Sequence, residues 1–259
     1  MPADPLVYDS TRLAQAYAWH RPAVHPLVLA QLRAAMGDGL PVAHALDAGC
    51  GAGASTAALL PLARQVTGLD PFLPMLQAAR SRVPQADFVQ GRLEAIPCPG
   101  ASFDLVASAG AINYTEPRVA LAELARVLKP GGWLALYDFS DGRPQSEEGR
   151  TNDPVAAKRK AYPSSGGYAL DLPGLPFNEH GLTLSSQQRF AFDLPMTAQQ
   201  YLDYMMGDTG VEAAMAAGAA EPDVRTHMAQ LVDRAFAGRD CAVRFSAELV
   251  VARRVAQAA

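Results

Sequence analysis

Cysteine is scarce in this chain and comes in an odd number: Cys50, Cys98 and Cys241 are spread through 259 residues. Such a set forms neither a disulfide framework nor a metal cluster, so no metal site is expected and a reducing, cytoplasmic setting is the expectation. No uninterrupted apolar run reaches the ~20 residues that span a bilayer. The start, MPADPLVYDS, lacks a basic segment followed by an apolar core, so no secretory leader and no membrane partner are expected. Charge is modest too. Charged residues make up 19% of the chain and the formal net charge is −4, which gives no general drive toward nucleic acid or an anionic membrane. The densest basic run, Lys158-Arg159-Lys160, reads as a solvated loop or helix face, with an anionic-ligand contact as the alternative.

What the chain does have is apolar residues, 49% of the total, enough for a substantial core. Their pattern alternates strands with helices. Residues 1–40 read as mainly helical: Asp9 or Ser10 can cap a helix through Leu13 and Tyr17, and a second runs from about His25 to Met36. Strands are predicted at 42–46, at QVTGLD ending on Asp70, at ADFVQGR, at 103–108 and at 133–139. Helices are predicted between them, at 55–62, over PFLPMLQAAR, and from Pro117 with Thr115 as its cap. Leu121, Leu124 and Leu128 fall on one apolar side of that last helix, and LKPGG ends it. This order argues for a doubly wound, mostly parallel sheet with right-handed crossovers. After Asp141 the pattern changes. Residues 141–180 are rich in Gly, Pro, Ser and charge and read as a mobile loop or irregular insertion. LTLSSQQRFAFDL then reads as a strand, 197–206, 211–217 and 222–236 as helices, and CAVRFSAELVVARR as a final strand.

The feature closest to chemistry is ALDAGCGAGAS. Gly49, Gly51 and Gly53 allow a tight turn and close approach of backbone to a ligand at the start of a helix. Asp47 precedes the turn, and Asp70 ends the next strand, where a carboxylate can accept two hydrogen bonds from a ribose diol. Gly49, Gly51 and Ala54 also satisfy the permissive dinucleotide fingerprint, so NAD binding stays open on these residues alone.

Taken in order, QAYAWHRPAVHP, LDAGCGAG, VTGLDP, VQGRLEAIPCPGASFDLVASAGAINY and ARVLKPGGWLALYDF resemble the class I S-adenosylmethionine-dependent methyltransferases, particularly their small-molecule branch. The resemblance is strongest over residues 8–140. It implies an α/β fold with a Rossmann-like, seven-stranded, mostly parallel sheet, helices on both faces and an inserted, partly helical substrate-binding cap. It also implies one domain over 1–259, with 1–40 as a helical cofactor cover and 141–239 holding the substrate-recognition insertion. S-adenosylmethionine is the implied cofactor. Asp47, Ala48, Gly49, Cys50, Gly51 and Gly53 would line its methionine side and Asp70 its ribose. Pro71 and Met75 would pack beside the adenine, with backbone at Arg92 and Leu93 at its edge. The Ser108 carbonyl would face its amino group, and Tyr17 and Arg21 would close over it. Two positions depart from many relatives: Arg92 stands where an acidic residue is common and Asn113 where a histidine is common, so no imidazole base carries over there.

Candidates for removing a proton from the acceptor are His25, Asp138 and His20, with His180 more remote. Tyr168, Phe177, Tyr201, Tyr204 and Met205 are candidates for an acceptor pocket or a satellite core, and Met206-Gly207 for a lid hinge. The expected partner is a small-molecule methyl acceptor, with no nucleic acid, and the assembly a monomer or homodimer. RNA or protein methylation, NAD-dependent oxidoreduction and an inactive cofactor-binding interaction protein are the alternatives.

Overall fold

A computed structural model describes residues 5–164 and 170–255. Two helices open it, α1 (Thr11–Trp19) and α2 (Val24–Met36). Then come β1 (Val42–Ala48), α3 (Ala54–Leu59), β2 (Ala63–Asp70), α4 (Leu73–Arg82), β3 (Asp87–Gln90), β4 (Phe103–Ala109), α5 (Pro117–Val127) and β5 (Leu128–Phe139). The remainder holds β6 (Arg143–Pro144), α6 (Glu147–Thr151), α7 (Pro154–Ala161), β7 (Leu182–Met196), α8 (Ala198–Met206), α9 (Thr209–Ala216), α10 (Glu221–Phe236) and β8 (Cys241–Arg254).

The sheet runs β3-β2-β1-β4-β5-β8, with β7 beyond β8. Strands β1 to β5 pair in parallel, and β8 is antiparallel to both β5 and β7. Strand order therefore reverses between β1 and β4, which opens a crevice at the carboxyl ends of these strands. The described sheet has eight strands where seven are expected. The extra one, β6, is two residues long and continues the β5 edge of β8: Phe139 pairs Ala247, Ser140 N donates to Ser246 O at 2.8 Å, and Arg143 pairs Arg244.

Period-two alternation divides the core between the two faces. Ala45, Leu105, Ala107, Ala135 and Tyr137 face α2, α8 and α10, while Leu46, Val106, Leu134 and Leu136 face α5. Leu121 and Leu124 of α5 are wholly buried, so truncating either to Ala would cost about 2–5 kcal/mol.

Helix α1 packs Leu13, Ala14 and Ala18 against Ala52 of the glycine turn and Met75 and Ala78 of α4. Ser10 caps it, accepting from Leu13 N at 3.2 Å. Arg12 Nε donates to Glu212 Oε2 of α9 at 2.6 Å, which ties the amino-terminal cover to the late helices.

Three expectations change. The cap of α5 is Glu116, not Thr115, whose hydroxyl donates to Ile112 O at 2.7 Å. Leu128 belongs to β5, because that strand already starts there and pairs Leu128 with Phe103, ahead of a register shift before Leu105 and Trp133. The polar stretch after Asp141 contains α6 and α7, capped by Ser146 and Asp153 side chains that accept two or three residues ahead. Among the described residues, no helix is long and apolar enough to cross a membrane.

Candidate active site

The turn after β1 owes its shape to three left-handed glycines: Gly49 at φ +81°, Gly51 at +50° and Gly53 at +85°. Gly49 N and Cys50 N both donate to Leu69 O of β2, at 2.8 and 2.9 Å. Gly51 N donates to Asp70 Oδ2 at 2.9 Å, and Phe72 N donates to Asp70 Oδ1 at 3.0 Å. Burial raises the Asp70 carboxyl to about 6 against those two amides. A Cβ added at Gly51 would meet nothing within 4 Å, so the top of the turn opens outward, whereas one at Gly49 would fall 2.2 Å from Ala111 Cβ.

Asp47 lies beneath the turn, wholly buried. Its Oδ2 accepts from Ser55 Oγ at 2.7 Å and Thr56 Oγ1 at 2.6 Å, while Oδ1 has no partner among the described residues. Burial raises its carboxyl to about 6, and the two hydroxyls pull the other way.

The turn forms one wall of a cleft of about 700 Å³ at the carboxyl ends of the strands. The wall includes Tyr17, Arg21, Gly49, Cys50, Gly51, Asp70, Pro71, Met75, Arg92 and Leu93, so most of the predicted cofactor residues converge here. Asp47, Ala48, Gly53 and Ser108 do not line it: Asp47, Ala48 and Ser108 are buried, and Gly53 packs toward Ala79 of α4 and Val83 just after it. Arg21 stacks 4.0 Å from the Tyr17 ring centroid and 5.6 Å from that of Tyr204, so one guanidinium joins the amino-terminal cover to α8.

His25, Asp138, Asn113, Tyr204 and Met205 also line the cleft. His25 Nδ1 lies 2.9 Å from the Tyr137 hydroxyl. Burial, then the Arg21 and Arg82 cations, lowers the imidazole to about 3, so it is neutral at physiological pH. Asp138 Oδ1 accepts from Phe139 N at 2.7 Å, and burial shifts the carboxyl upward. His20 is the exposed C-cap of α1 and lies outside the lining. Phe177 and Tyr201 are core residues, with the Tyr201 hydroxyl donating to Gly142 O at 2.7 Å. Tyr168 lies outside the described residues.

Sequence reasoning missed two parts of the wall. Tyr8 packs edge-on to Tyr17 and Tyr114, with centroids at 6.2 and 5.6 Å, and tilts against Phe72 at 5.8 Å. Nothing in the spacing around Tyr8 signals this. The second is a cluster of charges. Lys158 is not on a solvated face: it is buried, ion-paired with Asp208, and 3.5 Å from Asp141 Oδ2. Arg159 pairs with the same Asp141 oxygen at 3.1 Å. The basic run is thus largely neutralised by carboxylates, which leaves little unpaired positive charge for an anionic ligand.

Comparison with known proteins fits this geometry. Residues 46–136 match the family model described as "Methyltransferase domain". A demethylmenaquinone methyltransferase from Renibacterium salmoninarum is 40% identical over 102 residues, covering 39% of this chain and 43% of that protein. A malonyl-[acyl-carrier protein] O-methyltransferase from Salmonella typhimurium is 40% identical over 105 residues, covering 40% and 42%. The chain thus spans less than half the length of the curated relatives it matches. Among solved structures, a chain from Anaeromyxobacter dehalogenans assigned as a type II methyltransferase superposes with a TM-score of 0.63. It shares 22% identity, over 88% of this chain and 97% of that one, a likeness of fold.

Proposed function

We propose that the chain, whose residues 46–136 match the methyltransferase-domain model, is a class I S-adenosylmethionine-dependent methyltransferase and transfers a methyl group from S-adenosylmethionine to a small organic molecule held in the cleft. The observation that carries this reading is one cleft lined both by an open glycine turn with a desolvated carboxylate, Asp70, and by Asp138 and a neutral His25.

The residues fit the cofactor. Asp70 keeps lone pairs beyond those used by Gly51 N and Phe72 N and would accept from ribose hydroxyls. Pro71 and Met75, with Leu93 and the backbone at Arg92, would flank the adenine. Tyr17 would cover the site, and the Arg21 guanidinium would pair with a carboxylate, as its fork of donors suits. Asp47, Ala48 and Gly53 would act from beneath, holding the loop in shape, while Cys50 stays on the wall with Gly49 and Gly51. When bound, S-adenosylmethionine supplies a methyl group activated by a sulfonium.

The protein's part is to orient the acceptor and exclude water. Asp138 would take the acceptor's proton: it lines the cleft, and among the described residues its carboxylate accepts one hydrogen bond, from Phe139 N. A volume of about 700 Å³ suits a drug-sized molecule. The two relatives act on demethylmenaquinone and malonyl-[acyl-carrier protein], as their names state, and the chain's net charge of −4 gives no footprint for RNA.

Calorimetric titration of the purified chain with S-adenosylmethionine, NAD serving as control, tests the reading. Saturable binding near one equivalent, without comparable NAD binding, supports it and licenses an acceptor panel. A folded, ligand-free chain that binds NAD instead would be an oxidoreductase.

A further inference from the structure

We propose that Tyr137 fixes His25 as a neutral imidazole carrying its proton on Nε2, so that His25 donates a hydrogen bond into the cleft and does not serve as a base. The inference rests on the methyl-transfer reading and deepens it: the acceptor then presents an oxygen or nitrogen lone pair to His25 and its proton to Asp138.

Tyr137 belongs to β5 and is 1% exposed. Among the described residues its hydroxyl has a single partner, His25 Nδ1 at 2.9 Å, with the rings edge-to-face at 5.8 Å. A phenol and an imidazole nitrogen can share a hydrogen in either direction. If Nδ1 were the donor, the Tyr137 O–H would be left without an acceptor in a buried site. If the phenol donates, only a phenol lone pair goes unfilled, and buried donors are the groups that structures leave unpaired least often. Nδ1 is then the acceptor, and the neutral ring carries its hydrogen on Nε2.

Among the described residues Nε2 has no partner, and it is not one of the buried orphan atoms, which leaves it free to face the cleft that His25 lines. Burial and three groups oppose protonation of Nδ1. Arg21, from the link between α1 and α2, and Arg82, from α4, repel a further cation, and Tyr137 would lose its acceptor.

The test is long-range proton–nitrogen correlation spectroscopy on the full chain labelled with ¹⁵N-histidine. Five histidines give five signals, and the one missing from His25→Asn is assigned to His25. The expected result is the Nε2–H pattern, with no titration between about pH 5 and 8. Tyr137→Phe should release a mixture of tautomers while S-adenosylmethionine affinity stays within about twofold. An Nδ1–H pattern in the wild type, or an imidazolium forming in that pH range, overturns the proposal, and the wild-type spectrum decides even if Tyr137→Phe fails to fold. Calorimetry on the same sample reads the cofactor separately: absent binding sinks the methyl-transfer reading and leaves the tautomer measured.

Discussion

Lys158 and Asp208 form an ion pair at the cleft wall in which the lysine is 4% exposed. Asp141 Oδ2 lies 3.5 Å from the same ammonium, so one cation joins α7, the α8–α9 turn and the end of β5. Lys158→Met leaves two carboxylates short of their shared partner. The expected loss is about 3 kcal/mol, the lower end for a broken buried pair because both carboxylates keep some solvent contact. Denaturant unfolding measures it, and adding Asp208→Asn should recover part. A loss under about 0.5 kcal/mol would make the cluster an ordinary surface feature.

The same cluster sets an acid limb. Burial pushes the Asp141 carboxyl up, but Lys158, Arg159 and Arg21 outweigh it and hold it below its ordinary value. Its contribution is therefore present above the ordinary aspartate range and lost as pH falls through the lowered folded value. Unfolding curves between about pH 2 and 5 should show this loss in the wild type and a smaller one in Lys158→Met.

Gly49 and Gly51 separate folding from binding. Gly49→Ala combines φ +81° with a Cβ 2.2 Å from Ala111 Cβ, so at least about 2 kcal/mol of stability should go. Gly51→Ala meets no protein atom within 4 Å, so only about 1 kcal/mol of backbone strain is expected. Its methyl would nevertheless stand where the turn opens onto the cleft and should abolish cofactor binding. Melting temperature and calorimetry on the two variants check this. Tight binding by Gly51→Ala would remove the turn from the cofactor site.

Asp138→Asn keeps the cleft's shape and removes the proposed base. On an acceptor found by the panel, turnover should fall about 10²–10⁴-fold while S-adenosylmethionine binds as before. Because burial raises the Asp138 carboxyl, the wild-type rate should climb with pH to a plateau reached later than an ordinary aspartate would give. An unchanged rate would show that the acceptor ionises unaided.

The glycine turn and Asp70 were legible in the sequence because their chemistry is local: one residue type supplies the positive φ, and one carboxylate ends the adjoining strand. Asp47 and Ser108 are both buried, and motif position alone does not say whether the Asp47 carboxylate or the Ser108 carbonyl reaches the cofactor directly. Lys158 differs from its expectation. Lys-Arg-Lys reads as solvated until the fold brings in Asp141, 17 residues earlier, and Asp208, 50 later. Tyr8 is the same kind of case, since its partners Phe72 and Tyr114 come from other elements.

Asp70 also makes cofactor affinity depend on pH, with a definite sign. Burial raises both Asp70 and Asp47 to about 6, so in the ligand-free chain their stabilising contribution is full below the ordinary aspartate value and is lost as pH rises through 6. Ribose hydroxyls donate, so they favour ionised Asp70, and binding should draw its carboxyl back down. Affinity for S-adenosylmethionine should therefore rise about tenfold per pH unit up to 6 and flatten above 7. Asp70→Asn should bind roughly 100-fold more weakly at pH 8, the value of two hydrogen bonds to a charged acceptor, and lose most of the slope. Calorimetry from pH 5 to 8 on both proteins decides. If the slope survives in Asp70→Asn, it belongs to Asp47 beneath the turn; if the wild type has no slope, Asp70 does not hold the ribose.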